Sequence, residues 1–360
     1  MSRSRGGRAV SPNRSDRHAR DSSPDLARLL DLVDAFSRQT IAVVGDFVLD
    51  EFVSGEISRV SREAPVLILR QRRTEGLPGG GANAVNNLAD LGARVLPVGA
   101  VGDDAAGRAL LEYLRRKRVD TSGILSVPGW TTTTKTRFLA GWTHTTEQQV
   151  LRVDRETTSP LPQKLQPVLL RKAQVRARRA AAVLVSDYGL GVATPSLVRK
   201  LRGTRITLDS RYSLLDYRNA GVTAATPNEP ELEALYHTRI GDNKRRLEQV
   251  ATSALRQLGL RALLVTRGKD GMALFERSGS PRFISVYGTD EAVDVTGAGD
   301  TVIAVFTLAL AAGASYYEAA HLANYAGGIV VMKRRTATLT RAELEEALRG
   351  DATFLRETKT

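Results

Sequence analysis

The stretch Asp294-Val295-Thr296-Gly297-Ala298-Gly299-Asp300-Thr301 decides how this chain reads. Two glycines and an alanine lie between two carboxylates. Directly behind them comes Val302-Ile303-Ala304-Val305-Phe306-Thr307-Leu308-Ala309-Leu310, an apolar run that ends near Gly313. The run has the length of a buried helix, with glycine as its stop. Gly297, Ala298 and Gly299 then fall in the first turn. Backbone N–H groups there lack partners, and the helix dipole favours negative charge. Asp300 would be wasted at that place as an anion binder. It fits a base that takes a proton while the amides of Gly297, Ala298 and Gly299 hold an anion. Phosphoryl transfer to a hydroxyl needs both.

Composition narrows the rest. The chain has 360 residues, 42% hydrophobic and 25% charged, which suits one large globular domain or two small ones. It has no cysteine, so disulfides, thiolate metal sites and a cysteine nucleophile are excluded. The four histidines show no ligand spacing. No apolar run reaches the roughly 20 residues of a membrane span, and the arginine-rich N-terminus has no apolar core of a secretory signal. A cytoplasmic protein is expected. The formal net charge of +13 invites a nucleic-acid reading. Many of the basic residues, however, gather in the tail 1–20 and in the stretch 164–179, read as one solvated helix. Neither interleaves aromatics with arginine or lysine, so nucleic acid is not the expected partner.

Residues 1–24 lack periodicity and read as a disordered basic tail; a domain over 25–350 follows. Residues 40–46 read as a buried strand ending in Asp46. Short β-prone pieces at 50–53 and 65–69, separated by Ser, Gly and Pro, and others at 130–139 and 149–153, read as a small β lid over about 50–75 and 130–150. Elsewhere strands and helices alternate. That pattern predicts an α/β fold, a mainly parallel central sheet wrapped by helices on both faces.

Ligands of open α/β sheets bind beyond the carboxyl ends of the strands. Asp46, Asp187, Asp209, Asn228 and Thr266 all fall at such ends. A single carboxylate there is often only a helix cap; several favour a shared cleft. Gly79-Gly80-Gly81-Ala82-Asn83 formally matches a dinucleotide fingerprint. It does not follow the first strand by a tight turn, so close approach of backbone to a sugar, or a plain flexible turn, reads better. No Walker loop is present. Asn228 and Glu231 stand one helical turn apart. They could cap a helix, or order the hydration shell of Mg²⁺, which keeps its waters and takes few carboxylates.

These residues converge on a family. The chain resembles the ribokinase-like (PfkB) sugar kinases over about residues 40–345. The resemblance rests on Gly79-Gly80-Gly81-Ala82-Asn83, on residues 98–107, on Asp294–Asp300 and on Asn228-Glu229-Pro230-Glu231. It implies a three-layer α/β/α sandwich with a small β lid, ATP as phosphoryl donor and Mg²⁺ as cofactor. Asp300 would be the catalytic base, and Gly297, Ala298 and Gly299 the anion hole. Asp46, Gly80 and Asn83 would hold sugar hydroxyls. Asn228, Thr266, Gly268 and Asn324 would line the nucleotide site, and Glu231 would reach the metal through water.

Within the family, residues 44–50, 58–66, 134–137, 148–154 and 186–189 resemble kinases of D-glycero-β-D-manno-heptose 7-phosphate. Those kinases also occur as the N-terminal half of bifunctional kinase/adenylyltransferases. The resemblance implies phosphorylation of the anomeric hydroxyl to the 1,7-bisphosphate, with Arg59, Lys135 and Arg152 on the sugar's own phosphate. The alternative for each basic residue is a surface ion pair. The alternative functions are a kinase of another sugar or sugar phosphate, and a non-catalytic binder. Expected partners are a sugar-phosphate substrate, a second copy of the chain through the lid strands, and a separate adenylyltransferase downstream. A membrane is not expected. Two departures stand out. Lys333-Arg334-Arg335-Thr336-Ala337-Thr338 lacks the glycine of a Lys-x-Gly-Thr pattern, and Ser61-Arg62 replaces Ser-Pro.

Overall fold

The computed structural model describes residues 24–141, 147–157, 159–201, 205–288 and 292–351. The tail expected at 1–24 lies, but for Pro24, outside the described residues. The chain opens with α1 (Leu26–Asp34) and enters β1 (Thr40–Gly45). Next come β2 (Phe47–Val60), β3 (Leu67–Gly80), α2 (Gly81–Asp90), β4 (Arg94–Gly102), α3 (Ala105–Arg116), β5 (Ile124–Val127), β6 (Thr133–Gly141) and β7 (Gln148–Arg155). The middle of the chain holds α4 (Gln166–Ala177), β8 (Ala182–Asp187), the short α5 (Pro195–Val198), β9 (Arg205–Ser210), β10 (Ala224–Ala225), α6 (Glu229–Tyr236), α7 (Lys244–Leu258) and β11 (Ala262–Thr266). β12 (Met272–Glu276), β13 (Arg282–Ile284), α8 (Ala298–Ala311), α9 (Tyr316–Val331) and α10 (Arg341–Gly350) complete it.

Among the described residues the strands form two sheets. The larger runs β13-β12-β11-β10-β9-β8-β1-β4-β5 and is parallel from β11 to β5, with β12 and β13 antiparallel at one edge. Successive residues of β1 feed opposite cores, as the two-residue period of a strand requires. Ile41 and Val43 pack into the core built with α1, α2, α8 and α9. Ala42 and Val44 pack into the core built with α4 and α7. Strands buried on both faces read as unbroken apolar runs, so their sequence signal was strong. The result is the α/β/α sandwich that the resemblance implies.

The smaller sheet, β3-β2-β6-β7, is the lid. Its first two strands are much longer than the pieces read from sequence. Shifts of register at Ser54/Gly55 and Ile57/Arg59 absorb the polar and glycine interruptions and let the β2–β3 ladder continue. Pro78 is tolerated because β3 is an edge strand. Helix α4 corrects the expectation of a solvated helix at 164–179. It buries Leu169, Ala173 and Ala177, and with them Arg176. The Arg176 guanidinium is held by Ser122 Oγ at 2.8 Å and Asp120 at 3.2 Å. Helix α10 lies beyond the helices placed from sequence. A Thr340–Glu343 capping box starts it, and Leu344 and Leu348 bury it against the core that contains α1.

Candidate active site

Helix α8 starts where the sequence placed it, and nearly every residue after its first turn is buried. Gly297 stands just before it at φ +79°, a left-handed conformation that favours glycine. A Cβ at Gly297 would also lie 2.5 Å from the Asn83 amide nitrogen. At Gly299 a Cβ would meet nothing within 4 Å, so the helix start opens onto free space. A cavity of about 330 Å³ lies there, bordered by Ala298 and Gly299. Asn228, Thr266, Gly268 and Asn324 border the same cavity, so the residues expected around a nucleotide are brought together. The Asn324 amide donates to the Ser285 carbonyl at 2.8 Å.

Asp300 sits on the inner side of the turn and is 2% exposed. Asn83 Nδ2 donates to its Oδ2 at 3.0 Å, and the Tyr188 hydroxyl donates to its Oδ1 at 2.9 Å. Burial pushes its pKa up to about 7, against the pull of these two donors, which favour the carboxylate. A general base at neutral pH needs a value in that range.

Two sequence expectations change here. Asp46 was expected on a sugar hydroxyl. Its carboxylate instead accepts four backbone N–H groups of the loop after β8. Tyr188 and Leu190 donate to Oδ2 at 2.8 and 3.0 Å, and Val192 and Ala193 to Oδ1 at 2.9 and 3.3 Å. The side chain is fully buried, and burial raises its pKa in spite of those amides. Asn83 was likewise expected on sugar. Its amide donates to Asp300 and, at 3.3 Å, to the Gly297 carbonyl, while its Oδ1 accepts from Asn87 at 3.1 Å. Asp46 anchors a loop, and Asn83 ties α2 to Asp300.

The glycines serve close packing inside the protein. A Cβ at Gly79 would lie 2.6 Å from the Asp50 carboxylate. One at Gly80, which has φ +54°, would lie 3.0 Å from the Asp46 carbonyl and 3.3 Å from the Tyr188 ring. Asp187, another strand-end carboxylate, is also occupied. It accepts from Gly189 N, Ser210, Ser213 and Tyr217 at 2.7–2.9 Å.

The lid carries residues of its own into the site. Lys135 Nζ stands 5.2 Å over the Tyr188 ring, and its charge helps hold the Asp300 pKa down. Burial lowers the Lys135 pKa, and the nearby Arg211 charge lowers it further. Arg152 forms a bidentate pair with Asp154 at 2.8 and 2.7 Å, the surface ion pair held open as its alternative. Arg59 is exposed near the hairpin end of β2. Sequence reasoning assigned no role to Asp50, which Arg137 holds at 2.6 Å and Thr336 at 3.0 Å. It gave none to Tyr188 or Arg211 either. Asp50 and Tyr188 both lie inside quoted motif stretches, but no spacing marks either as functional.

Asn228 and Glu231 form a full capping box at the start of α6: Asn228 N–H donates to Glu231 Oε2 at 2.9 Å and Glu231 N–H to Asn228 Oδ1 at 2.8 Å. Glu231 Oε1 lies outside that box. Burial raises the Glu231 pKa. Asp209, at the end of β9, is pushed well up by burial and by the charges of Glu231, Asp300 and Asp187. Among the described residues no three or more acidic or histidine side chains are grouped to hold a metal directly.

This geometry agrees with the relatives of the chain. Residues 39–342 match the family model described as pfkB family carbohydrate kinase. The chain is 41% identical over 323 residues to a protein of Desulfatibacillum aliphaticivorans named Bifunctional protein HldE, covering 88% of this chain and 64% of the relative. It is 39% identical over 333 residues to the Bifunctional protein HldE of Magnetococcus marinus, covering 89% and 66%. The chain thus spans just under two thirds of the length of these relatives. Among solved structures, Arabidopsis thaliana ribokinase complexed with ribose and ATP superposes with a TM-score of 0.68 at 22% identity, over 87% of this chain and 99% of that one. Phosphofructokinase-2 from Escherichia coli, in complex with substrates and products, superposes with a TM-score of 0.70 at 17% identity, over 86% and 98%; at such identities these two speak for the fold alone. By its match over residues 39–342 and its identity to those relatives, the chain belongs to the pfkB family and is a carbohydrate kinase.

Proposed function

We propose that residues 25–350 act as one kinase domain that transfers the terminal phosphoryl group of ATP to the anomeric hydroxyl of D-glycero-β-D-manno-heptose 7-phosphate, giving the 1,7-bisphosphate. The observation that carries the phosphoryl transfer is Asp300, a buried carboxylate with a pKa near 7 at the open first turn of α8. Asp300 accepts the proton of the acceptor hydroxyl as the new P–O bond forms. The Gly299 amide, at the turn that faces open space, receives the negative charge of the transferring group, whereas the Ala298 N–H donates to the Val295 carbonyl at 3.3 Å. Positioning and electrostatics then supply most of the catalysis.

The cavity beside that turn suits a nucleotide whose phosphates point at α8 and whose remainder lies along Thr266, Gly268 and Asn324. Mg²⁺ bound with the nucleotide would neutralise phosphate charge. Glu231, with Oε1 outside its capping box and Asp209 close by, is the carboxylate suited to meet that ion's waters.

The heptose phosphate is favoured by the motif resemblance, by the identity to the HldE relatives and by the lid cations. Lys135 of the lid lies close enough to Arg211, just after β9, for the second charge to depress its pKa, and a pair of neighbouring cations suits a dianionic phosphate. A substrate panel with coupled ADP detection tests the assignment. Turnover of heptose 7-phosphate should exceed that of ribose and of fructose 6-phosphate by at least about tenfold in kcat/KM, a difference of roughly 1.4 kcal/mol. A faster rate on either of the others would overturn it. The lid leaves Val60, Val66, Leu67, Val150, Leu151 and Val153 exposed, an apolar surface suited to pairing two copies. Leu151→Glu with Val153→Glu should give a monomer in sedimentation analysis. Among the described residues no helix is long and apolar enough to cross a membrane.

A further inference from the structure

Arg335 occupies the place where the Lys-x-Gly-Thr pattern has glycine, and its backbone takes the left-handed conformation that glycine favours, φ +67°. An arginine held there needs a reason, and its contacts supply one. Its guanidinium is ion-paired with Glu75 of β3 and Glu147, which precedes β7. It also donates to Ser54 Oγ of β2 at 3.1 Å and lies 5.7 Å over the Phe52 ring. Every one of those partners belongs to the lid or its connections. The backbone N–H of the same residue donates to Asp294 Oδ2 at 2.8 Å. Asp294 Oδ1 in turn accepts from Thr296 N–H at 2.9 Å, in the turn that leads into α8. The next residue, Thr336, bonds Asp50 of β2 at 3.0 Å and fills the space beside Gly297. The far end of the loop is fixed by Lys333, whose Nζ donates to the Thr338 carbonyl at 2.8 Å and to Glu343 at 2.6 Å.

We propose that Arg335 is a positioning residue that latches the lid onto the anion-binding turn of α8, so that the acceptor side and the phosphoryl side of the cleft are held in one register. It rests on reading the space between lid and α8 as the site of transfer. Glycine would satisfy the backbone at this position and make none of the lid contacts. The arginine fork reaches Glu75, Glu147 and Ser54 together, which a lysine ammonium cannot do with the same geometry. Residue 335 thereby replaces local backbone freedom with a tie across the cleft.

The test uses the full chain and the variants Arg335→Gly and Arg335→Lys. Glycine suits φ +67°, so the first variant keeps the loop and the fold. In amide hydrogen exchange without ligands, Arg335→Gly should speed exchange in 47–60 and 67–80 by about tenfold or more while the central strands 182–187 and 262–266 stay unchanged. Arg335→Lys should fall between it and the parent. In turnover assays with whichever sugar phosphate the panel favours, Arg335→Gly should raise the acceptor KM more than it lowers kcat. Lid exchange equal to the parent overturns the proposal, as does an increase spread evenly over both sheets. The exchange measurement needs no acceptor, so it decides on the latch even if the heptose assignment fails.

Discussion

The hydroxyl of Tyr188 donates a 2.9 Å hydrogen bond to Oδ1 of Asp300, and the backbone N–H of the same tyrosine is gripped by Asp46 at 2.8 Å. A carboxylate at the end of the first strand thus holds the loop that holds the Asp300 side chain. Asp46 and Tyr188, both far from residue 300 in sequence, set the surroundings of one buried carboxylate.

Tyr188→Phe removes a donor that favours the Asp300 carboxylate. The pKa of Asp300, already near 7 through burial, should therefore rise. A base must be unprotonated to work, so the acid limb of kcat/KM against pH should move to higher pH, by about half a unit to one unit. An unchanged limb would show that the phenol does not tune the base.

Asp300→Asn leaves the shape and removes the proton acceptor. Turnover should fall by about a thousandfold, within the usual range for a lost general base. In the parent, kcat/KM should decline as pH drops below about 7, with a single-proton slope, because the protonated carboxyl cannot accept. Full phosphoryl transfer by Asp300→Asn would remove Asp300 from the chemistry.

Asp46→Ala strands four N–H groups in a buried place. Unpaired buried donors cost about 1–3 kcal/mol each, and partial relaxation should leave a loss of roughly 3–5 kcal/mol. Urea unfolding should show it as a lowered midpoint with unchanged slope. Were Asp46 only a sugar ligand, stability would hardly change and the acceptor KM would carry the effect.

Gly297→Ala places a methyl 2.5 Å from Asn83 Nδ2 at a backbone angle that alanine disfavours. Asn83 must withdraw from Asp300, and α2 from α8. Stability should drop by about 1–3 kcal/mol, and kcat should fall with it. Gly299→Ala meets no atom within 4 Å of its Cβ and makes the matched control, expected to keep the stability of the parent.

The sequence by itself determined the sandwich, because each central strand is buried on both faces and helices such as α3, α6 and α7 carry their own caps. Helix α6 begins at the Asn228 cap. It also marked Asp300 as the candidate base, since a glycine turn, a carboxylate and an apolar helix lie within twenty residues. Only the tertiary structure decided what Asp46 and Asn83 touch. A carboxylate at a strand end looks the same in sequence whether it faces ligand or a loop's amides, and its partners lie more than 140 residues away. Sequence separation, here 112 residues, likewise hid Tyr188, set against Asp300 by a loop from another strand. It also hid the use of Arg335, a missing glycine in the sequence and a bridge to the lid in space. Local pattern fixes which residues can lie in a helix, a strand or a turn. Which of their polar atoms remain for a ligand depends on every donor and acceptor the fold brings near, and that is settled only when the chain is packed.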